Sequence, residues 1–298
     1  MNPIKHIKIK KGMMVSELVE NMGDAGFGAK KINQAANILI DMYKDKDCKI
    51  FLGVAGAMVP GGMRELIVDM LDRVDVFVTT GANLTHDLIE SLGHSHYQGS
   101  ETDDIELNKK GIDRIYNVFM KNEVYPDLED FFEKNWKHFQ ECKNIKEFLW
   151  KIGEIIGKGL LGKCYKKKIP VFCPAIADSG IGLMVWGRKV AGKNIHIDAF
   201  EDMKEIIDIA WTAKKRGVIY IGGGTPKNFI QQSLQFSKGA DYGIQITTDN
   251  PSGGGSSGAP LKEGISWGKM NKEARFVDVN CDATIALPLI LGYLKEKI

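Results

Sequence analysis

Six times along the chain, a short apolar run is followed at once by a loop rich in glycine and small polar residues. The cases are KIFLGVAGAMVPGG (49–62), VDVFVTTGANLTHD (74–87), IPVFCPAIADSGIG (169–182), GVIYIGGGTPKN (217–228), YGIQITTDNPSGGGSSG (242–258) and FVDVNCDAT (276–284). Apolar runs without period-2 alternation are what a sheet covered on both faces requires. Helical patterns lie between them: KKINQAANILIDMY (30–43), RELIVDMLDRV (64–74) and FEDMKEIIDIAWTAKKRG (200–217). Alternating strand, loop and helix predicts an open, mostly parallel α/β sheet. Glycine, Thr, Asp and Asn then gather at the strand ends, the edge where such sheets bind ligands.

Residues 98–168 interrupt this grammar. IDRIYNVF, YPDLEDFFEKNWKHF and IKEFLWKIGEIIGKGLL read as a helical excursion inserted into one domain spanning 1–298. NIHIDAF (194–200) reads as a short, plain strand. The glycine- and serine-rich stretch 249–264 has strand-like runs on both sides, so a functional loop is expected there rather than a linker.

A net charge of +2 excludes a broad nucleic-acid footprint, which needs a basic excess on one face. No run is long and apolar enough to span a bilayer, and the N-terminus has no signal-like apolar region. Cys48, Cys142, Cys164, Cys173 and Cys281 are odd in number and lack a C-x-x-C, which suits reduced thiols and a cytoplasmic setting. Cys173 and Cys281 fall in apolar runs and are expected to pack in the core.

Glycine-rich turns at strand ends suggest phosphate recognition, because bare backbone N–H groups can approach an anion. Neither GVAGAMVPGG nor GGGTPKN is a G-x-G-x-x-G fingerprint, and AGKN and WGKM lack the Ser or Thr of a Walker loop. His86, His94 and His96, with Asp87 beside them, could be set against a metal, but the spacing is poor for zinc and no metal is expected.

GISWGKMN (264–271) sets Lys269 behind Trp267 and Gly268. A lysine is nucleophilic only when neutral, and burial against an indole disfavours the ammonium. Trp267 also offers a π-face to an amine, and Glu263 a carboxylate that could hold a cation. The plain alternative is a strand-end lysine packing its stem on Trp267 and reaching for water.

Taken together, GISWGKM, GGGTPKN, ITTDNPSGGGSSGAP, PAIADSGIG, TTGANLTHD and VNCDATIALPL resemble deoxyhypusine synthases of the archaeal type, over about residues 5 to 295. The resemblance implies a Rossmann-like sheet with helices on both faces, and a homotetramer with active sites shared across a dimer interface. It implies NAD-dependent transfer of the 4-aminobutyl group of spermidine to one lysine of translation initiation factor 5A. In that scheme NAD takes hydride from the amine-bearing carbon, and Lys269 captures the butyl fragment as an enzyme imine, releasing diaminopropane. The acceptor lysine then displaces Lys269, and NADH reduces the new imine. NAD contacts would fall on Thr80, Gly81, Asp178, Gly223, Gly224, Thr248, Ser257, Asp282 and Ala283, and amine contacts on Glu263, Trp267 and Asn228.

The chain departs from eukaryotic-type members at four positions. Leu183 and Ser256 stand where those have acids, Asn228 where they have a histidine, and His86 where they have a glutamate. A dication held by fewer carboxylates binds less tightly unless other acids substitute, and Asp249 is a candidate substitute. Two alternatives follow: an agmatine-type donor, or homospermidine synthase-like transfer to a free diamine.

Overall fold

The computed structural model describes residues 1–100 and 102–298. Its strands are β1 Cys48–Val54, β2 Val76–Thr79, β3 Tyr97–Gln98, β4 Ile112–Ile115, β5 Val118–Lys121, β6 Val171–Phe172, β7 Lys215–Ile221, β8 Ala240–Thr247 and β9 Met270–Asn280. A mostly parallel six-stranded sheet runs in the order β6-β2-β1-β7-β8-β9, as the apolar runs predict. The winding reverses between β1 and β7. In open α/β sheets, the carboxyl ends of the strands at such a reversal form the ligand crevice.

The chain divides into two compact units. The first comprises Met1–Ala55, Arg73–Val78 and Met203–Ile298. Its central strands bury their apolar residues: Phe51 and Leu52 in β1, Val218 in β7, and Ile244 and Ile246 in β8 are each 2 % exposed or less. The helix Phe27–Lys44 buries Ile32, Ala35, Ala36, Leu39 and Met42, the face its helical spacing predicts.

The second unit comprises Gly56–Asp72 and Thr79–Asp202. Its core includes the aromatic cluster Phe132, Phe139 and Phe148, with ring centroids 5.3 Å apart for Phe132–Phe139 and Phe139–Phe148. YPDLEDFFEKNWKHF is helical as expected, within Val124–Gln140, whereas IKEFLWKIGEIIGKGLL is broken at left-handed Gly157 into Ile145–Ile156 and the start of Gly159–Lys167.

IDRIYNVF is not helical. It folds as the hairpin β4–β5, with Ile115 opposite Val118 and the turn made by Tyr116 and Asn117. Tyr116 takes the left-handed region at φ 53, and Tyr97–Gln98 adds a third strand to β5. β-branched Ile112, Ile115 and Val118 favour this outcome. NIHIDAF forms no strand either: only Asp198 bridges, to Asn144, and a helix begins at Ala199.

Four of the five cysteines are buried and Cys281 is half-buried, just beyond β9. Burial pushes the Cys48 and Cys173 thiols up to about 12, so neither is a ready nucleophile. No helix among the described residues is long and apolar enough to cross a membrane.

Candidate active site

At the switch point, Ala55 N donates to Ile221 O at 2.8 Å and Gly222 N to Ile246 O at 2.8 Å, closing β1, β7 and β8 at one level. Ile221, Ile246 and Val279 lie in register across β7, β8 and β9. Gly223, Thr248 and Asp282 therefore leave the same carboxyl edge of the sheet. Gly223 has no room for a side chain, because a Cβ would strike the Ser257 backbone. Gly224, at φ 55, opens the helix Gly224–Leu234, and its N–H donates to Ser257 Oγ at 2.7 Å. Asp282 caps the helix Ala283–Lys297, with Oδ1 accepting from Thr284 N at 2.7 Å.

Small residues, helix N-termini and exposed Thr248 and Asp282 make a donor and acceptor set that fits a dinucleotide. Gly223, Gly224, Thr248, Ser257, Asp282 and Ala283 would hold it. One backbone donor, Gly224 N–H, is already spent on ordering the Ser257 loop.

Lys269 sits at the other end of these strands. Its carbonyl accepts the N–H of Ala240, the first residue of β8, at 3.0 Å, while Cys281 N reaches Thr247 O, at the last residue, at 3.3 Å. Eight residues of strand separate these levels, about 23 Å at ~3.3 Å per step. The turn Leu261–Ile265 carries Glu263 and is tied to the lysine by Lys269 N, which donates to Gly264 O at 2.8 Å, and Gly268 at φ 70 makes the final bend. Lys269 Nζ stands 5.0 Å from the centroid of Trp267, within cation–π range. Trp267 is 57% exposed and Lys269 only half-buried, so within one chain the indole positions this amine without desolvating it.

The buried amine is a different one. Lys227, one residue before exposed Asn228, is 1% exposed and donates to Ser256 O at 2.6 Å and Ala259 O at 2.7 Å. Burial lowers its pKa to about 8, against the opposing fields of Asp278, Glu263 and Asp249, and with Lys269 adding to the fall. The sequence reading passed over Lys227; its place one turn inside a helix that opens at a sheet edge was the available signal.

In the second unit, Thr80 caps the helix Gly81–Leu92, its Oγ1 accepting from Asn83 N at 3.3 Å. Ser179 caps the helix Gly180–Val190. The two helix starts are pressed together: a Cβ on Gly81 would strike Ser179, and Thr85 Oγ1 accepts from Ile181 N at 3.1 Å. Thr80 and Gly81 thus lie beside Ser179, the residue that follows exposed Asp178. Leu183 is 59% exposed on the adjoining helix.

The three histidines take separate partners. His94 pairs with Asp127 at 2.9 Å, and Asp87 serves Arg64 and a helix start. His96 Nδ1 lies 2.8 Å from Glu90 Oε1, and His96 Nε2 lies 2.9 Å from His86 Nδ1. Since a carboxylate only accepts, the His96 Nδ1 that faces Glu90 carries a proton. Burial pushes His86 down to about 4, the neighbouring His96 adds to this, and Glu90 opposes it.

The folded state therefore holds His86 neutral while the unfolded chain protonates near 6.5. Stability from this group is complete above pH 6.5 and is lost as pH falls toward 4, by at most about 1.4 kcal/mol per pH unit. Denaturant unfolding at pH 7, 5.5 and 4.5 should show a shallower acid decline in His86→Gln than in wild type. Identical slopes would remove His86 from the acid response.

A family model for deoxyhypusine synthase matches residues 17–294. The chain belongs to the deoxyhypusine synthase family. A Methanosarcina acetivorans protein named "Probable deoxyhypusine synthase 1" is 42% identical over 99% of this chain and 95% of its own. An Archaeoglobus fulgidus protein of the same name is 41% identical over 97% of each. The crystal structure of an Entamoeba histolytica chain assigned as a deoxyhypusine synthase superposes with a TM-score of 0.70 at 20% identity, covering 97% of this chain and 96% of that one. The archaeal resemblance and the α/β fold are thereby established, and the chain is an enzyme of the transferase class.

Proposed function

We propose that this deoxyhypusine synthase family member transfers the 4-aminobutyl group of spermidine, or of a closely related amine, to one lysine of translation initiation factor 5A, with NAD as cofactor. The observation that carries the reading is Lys269 standing over Trp267, with Glu263 in the same turn, inside a chain that matches the family almost end to end. Bound NAD supplies a hydride acceptor that returns the hydride later.

This chain's own residues do the rest. Trp267 presents an exposed ring face that a donor cation can share, competing with Lys269 for the indole. Glu263, exposed beside it, attracts the same cation. Lys269, displaced and deprotonated, bonds through Nζ to the butyl carbon as an imine while diaminopropane leaves with the former secondary nitrogen. The acceptor lysine then attacks that imine carbon, and Lys269 Nζ departs as the free amine.

The Lys269 main chain and the Gly223 edge of one chain lie a strand length apart, and Trp267 is open to solvent. Both features support a homo-oligomer, in the family's tetrameric form, in which a second copy completes and desolvates the centre. One set of observations favours a second donor: Leu183 and Ser256 bring no charge, and His86 is held neutral in its hydrogen-bond chain. Fewer carboxylates favour an agmatine-type donor, or transfer to a free diamine, over tight grip of spermidine.

The test is incubation with NAD, labelled spermidine or agmatine, and factor 5A. Label on the protein is expected; label confined to small polyamines would replace this reading with the homospermidine-type one.

A further inference from the structure

Lys227 and Gln245 are buried and Asp278 is half-buried, three polar side chains that the transfer chemistry does not use, and all three meet beneath one loop. Gln245 in β8 and Asp278 in β9 are register partners, so their side chains share a face of the sheet. Gln245 is 1% exposed and its Nε2 donates to Ala259 O at 3.1 Å. Asp278 accepts the Leu261 N–H at 3.0 Å through Oδ1 and 3.3 Å through Oδ2. Lys227 reaches in from the helix above the sheet edge to Ser256 O and Ala259 O. Ser257 adds the fourth tie, accepting from Gly224 N. Among residues 256–261, every one of these bonds holds main chain or a cap rather than a ligand.

That loop is otherwise poorly made to hold itself. It follows three glycines, Gly253–Gly255, at which a Cβ would meet nothing, and its residues 251–255 are exposed. Backbone so rich in glycine has many open conformations to lose. A buried ammonium is costly unless hydrogen-bonded, so Lys227 is retained there only while Ser256 and Ala259 present their carbonyls to it. The dependence is mutual: the lysine fixes the loop and the loop satisfies the lysine.

We infer that Lys227, with Gln245 and Asp278, forms a clamp that fixes the 256–261 loop, and that Lys227 is thereby a positioning residue for both Ser257 and Glu263. The loop leaves the clamp at Leu261 and enters at once the turn that carries Glu263 and leads to Trp267 and Lys269. A released loop would move the cofactor contact at one end and the amine contact at the other. Lys227 Nζ donates to two main-chain carbonyls, so its effect passes through the backbone.

The inference rests on the proposed function for the identity of the two ligands, and the loop itself can be tested without either. Hydrogen–deuterium exchange on the unliganded full-length chain reads the amides of 256–259 and 261 directly. In Lys227→Met these amides should exchange at least about tenfold faster, while strands Ile244–Thr247 and Val277–Asn280 keep wild-type protection. With NAD and the donor amine, the same variant should raise KM for both about tenfold and change kcat much less. Gln245→Leu removes one of the two donors to Ala259 O and should give a smaller change of the same pattern, which also serves if Lys227→Met fails to fold.

Unchanged exchange in the loop overturns the clamp. So does faster exchange of loop and strands in equal proportion, which would make Lys227 a general core residue. If the loop opens selectively but wild type transfers nothing to any acceptor, the clamp stands and the proposed function fails.

Discussion

Lys269→Arg should abolish aminobutyl transfer, by about 10^3-fold or more, while leaving the dissociation constant for NAD within about threefold of wild type. A guanidinium stays protonated at every workable pH and cannot form the imine, yet it can still stack on Trp267 and preserve local packing. Residues 223, 224, 248, 257, 282 and 283 lie at the far carboxyl edge of the strands, so cofactor binding should not feel the change. Turnover by radiolabel transfer and NAD binding by equilibrium dialysis separate the two effects. Transfer within tenfold of wild type would remove Lys269 from the chemistry. Loss of NAD binding in parallel would show that the variant is misfolded rather than inert.

Asp87→Ala should destabilise the second unit by about 3–5 kcal/mol, the cost of leaving a buried charge without its partner. Asp87 is 1% exposed and accepts from Arg64 Nε at 2.7 Å, Leu160 N at 3.0 Å and Leu161 N at 3.4 Å. Burial pushes its carboxyl up, with Arg64 and the two amides opposing that rise. Arg64 is further tied to Ser91 Oγ at 2.6 Å. Gly159, at φ 73, lets the acid approach so closely that a Cβ there would strike Asp87 and Arg64. In the alanine variant two helix-start amides lose their acceptor, and Arg64 keeps only Ser91 Oγ and the longer pairings with Glu90 at 3.6 Å and Glu65 at 3.7 Å. The double variant Arg64→Met/Asp87→Leu should lose clearly less than the sum of its singles, because neither charge is then stranded. Urea unfolding would decide, and a loss under about 1 kcal/mol for Asp87→Ala would mean that water replaces the carboxylate.

Such effects trace back to features of uneven legibility. The six apolar runs ending in glycine-rich loops were readable because a doubly covered parallel strand must be continuously apolar. Their register, which puts Gly223, Thr248 and Asp282 at one edge, then follows from strand ends alone. IDRIYNVF was misread because Ile112, Ile115, Val118 and Phe119 also satisfy helical spacing. What decides in favour of a hairpin is pairing with Tyr97–Gln98, about twenty residues away in sequence, and no local window contains that. NIHIDAF failed for a related reason: its alternation is real, but no neighbouring strand is there to pair with beyond Asn144.

The lysines reversed the expectation most sharply. Trp267 next to Lys269 suggested burial, whereas the indole is open and the fully buried amine is Lys227, in a motif read only for its glycines. Burial of Lys227 depends on Ser256 and Ala259, some thirty residues on, folding back over it. Adjacency in sequence showed which groups could touch; only the loop's path showed which one is dry.

The central claim is that Lys269 carries the butyl group covalently. Borohydride added during turnover with NAD and donor amine, followed by peptide mass spectrometry, tests it most directly. The expected result is a reduced aminobutyl adduct on Lys269, absent without NAD and absent in Lys269→Arg. An unmodified Lys269 peptide while product is forming, or an adduct on Lys227 instead, would contradict it.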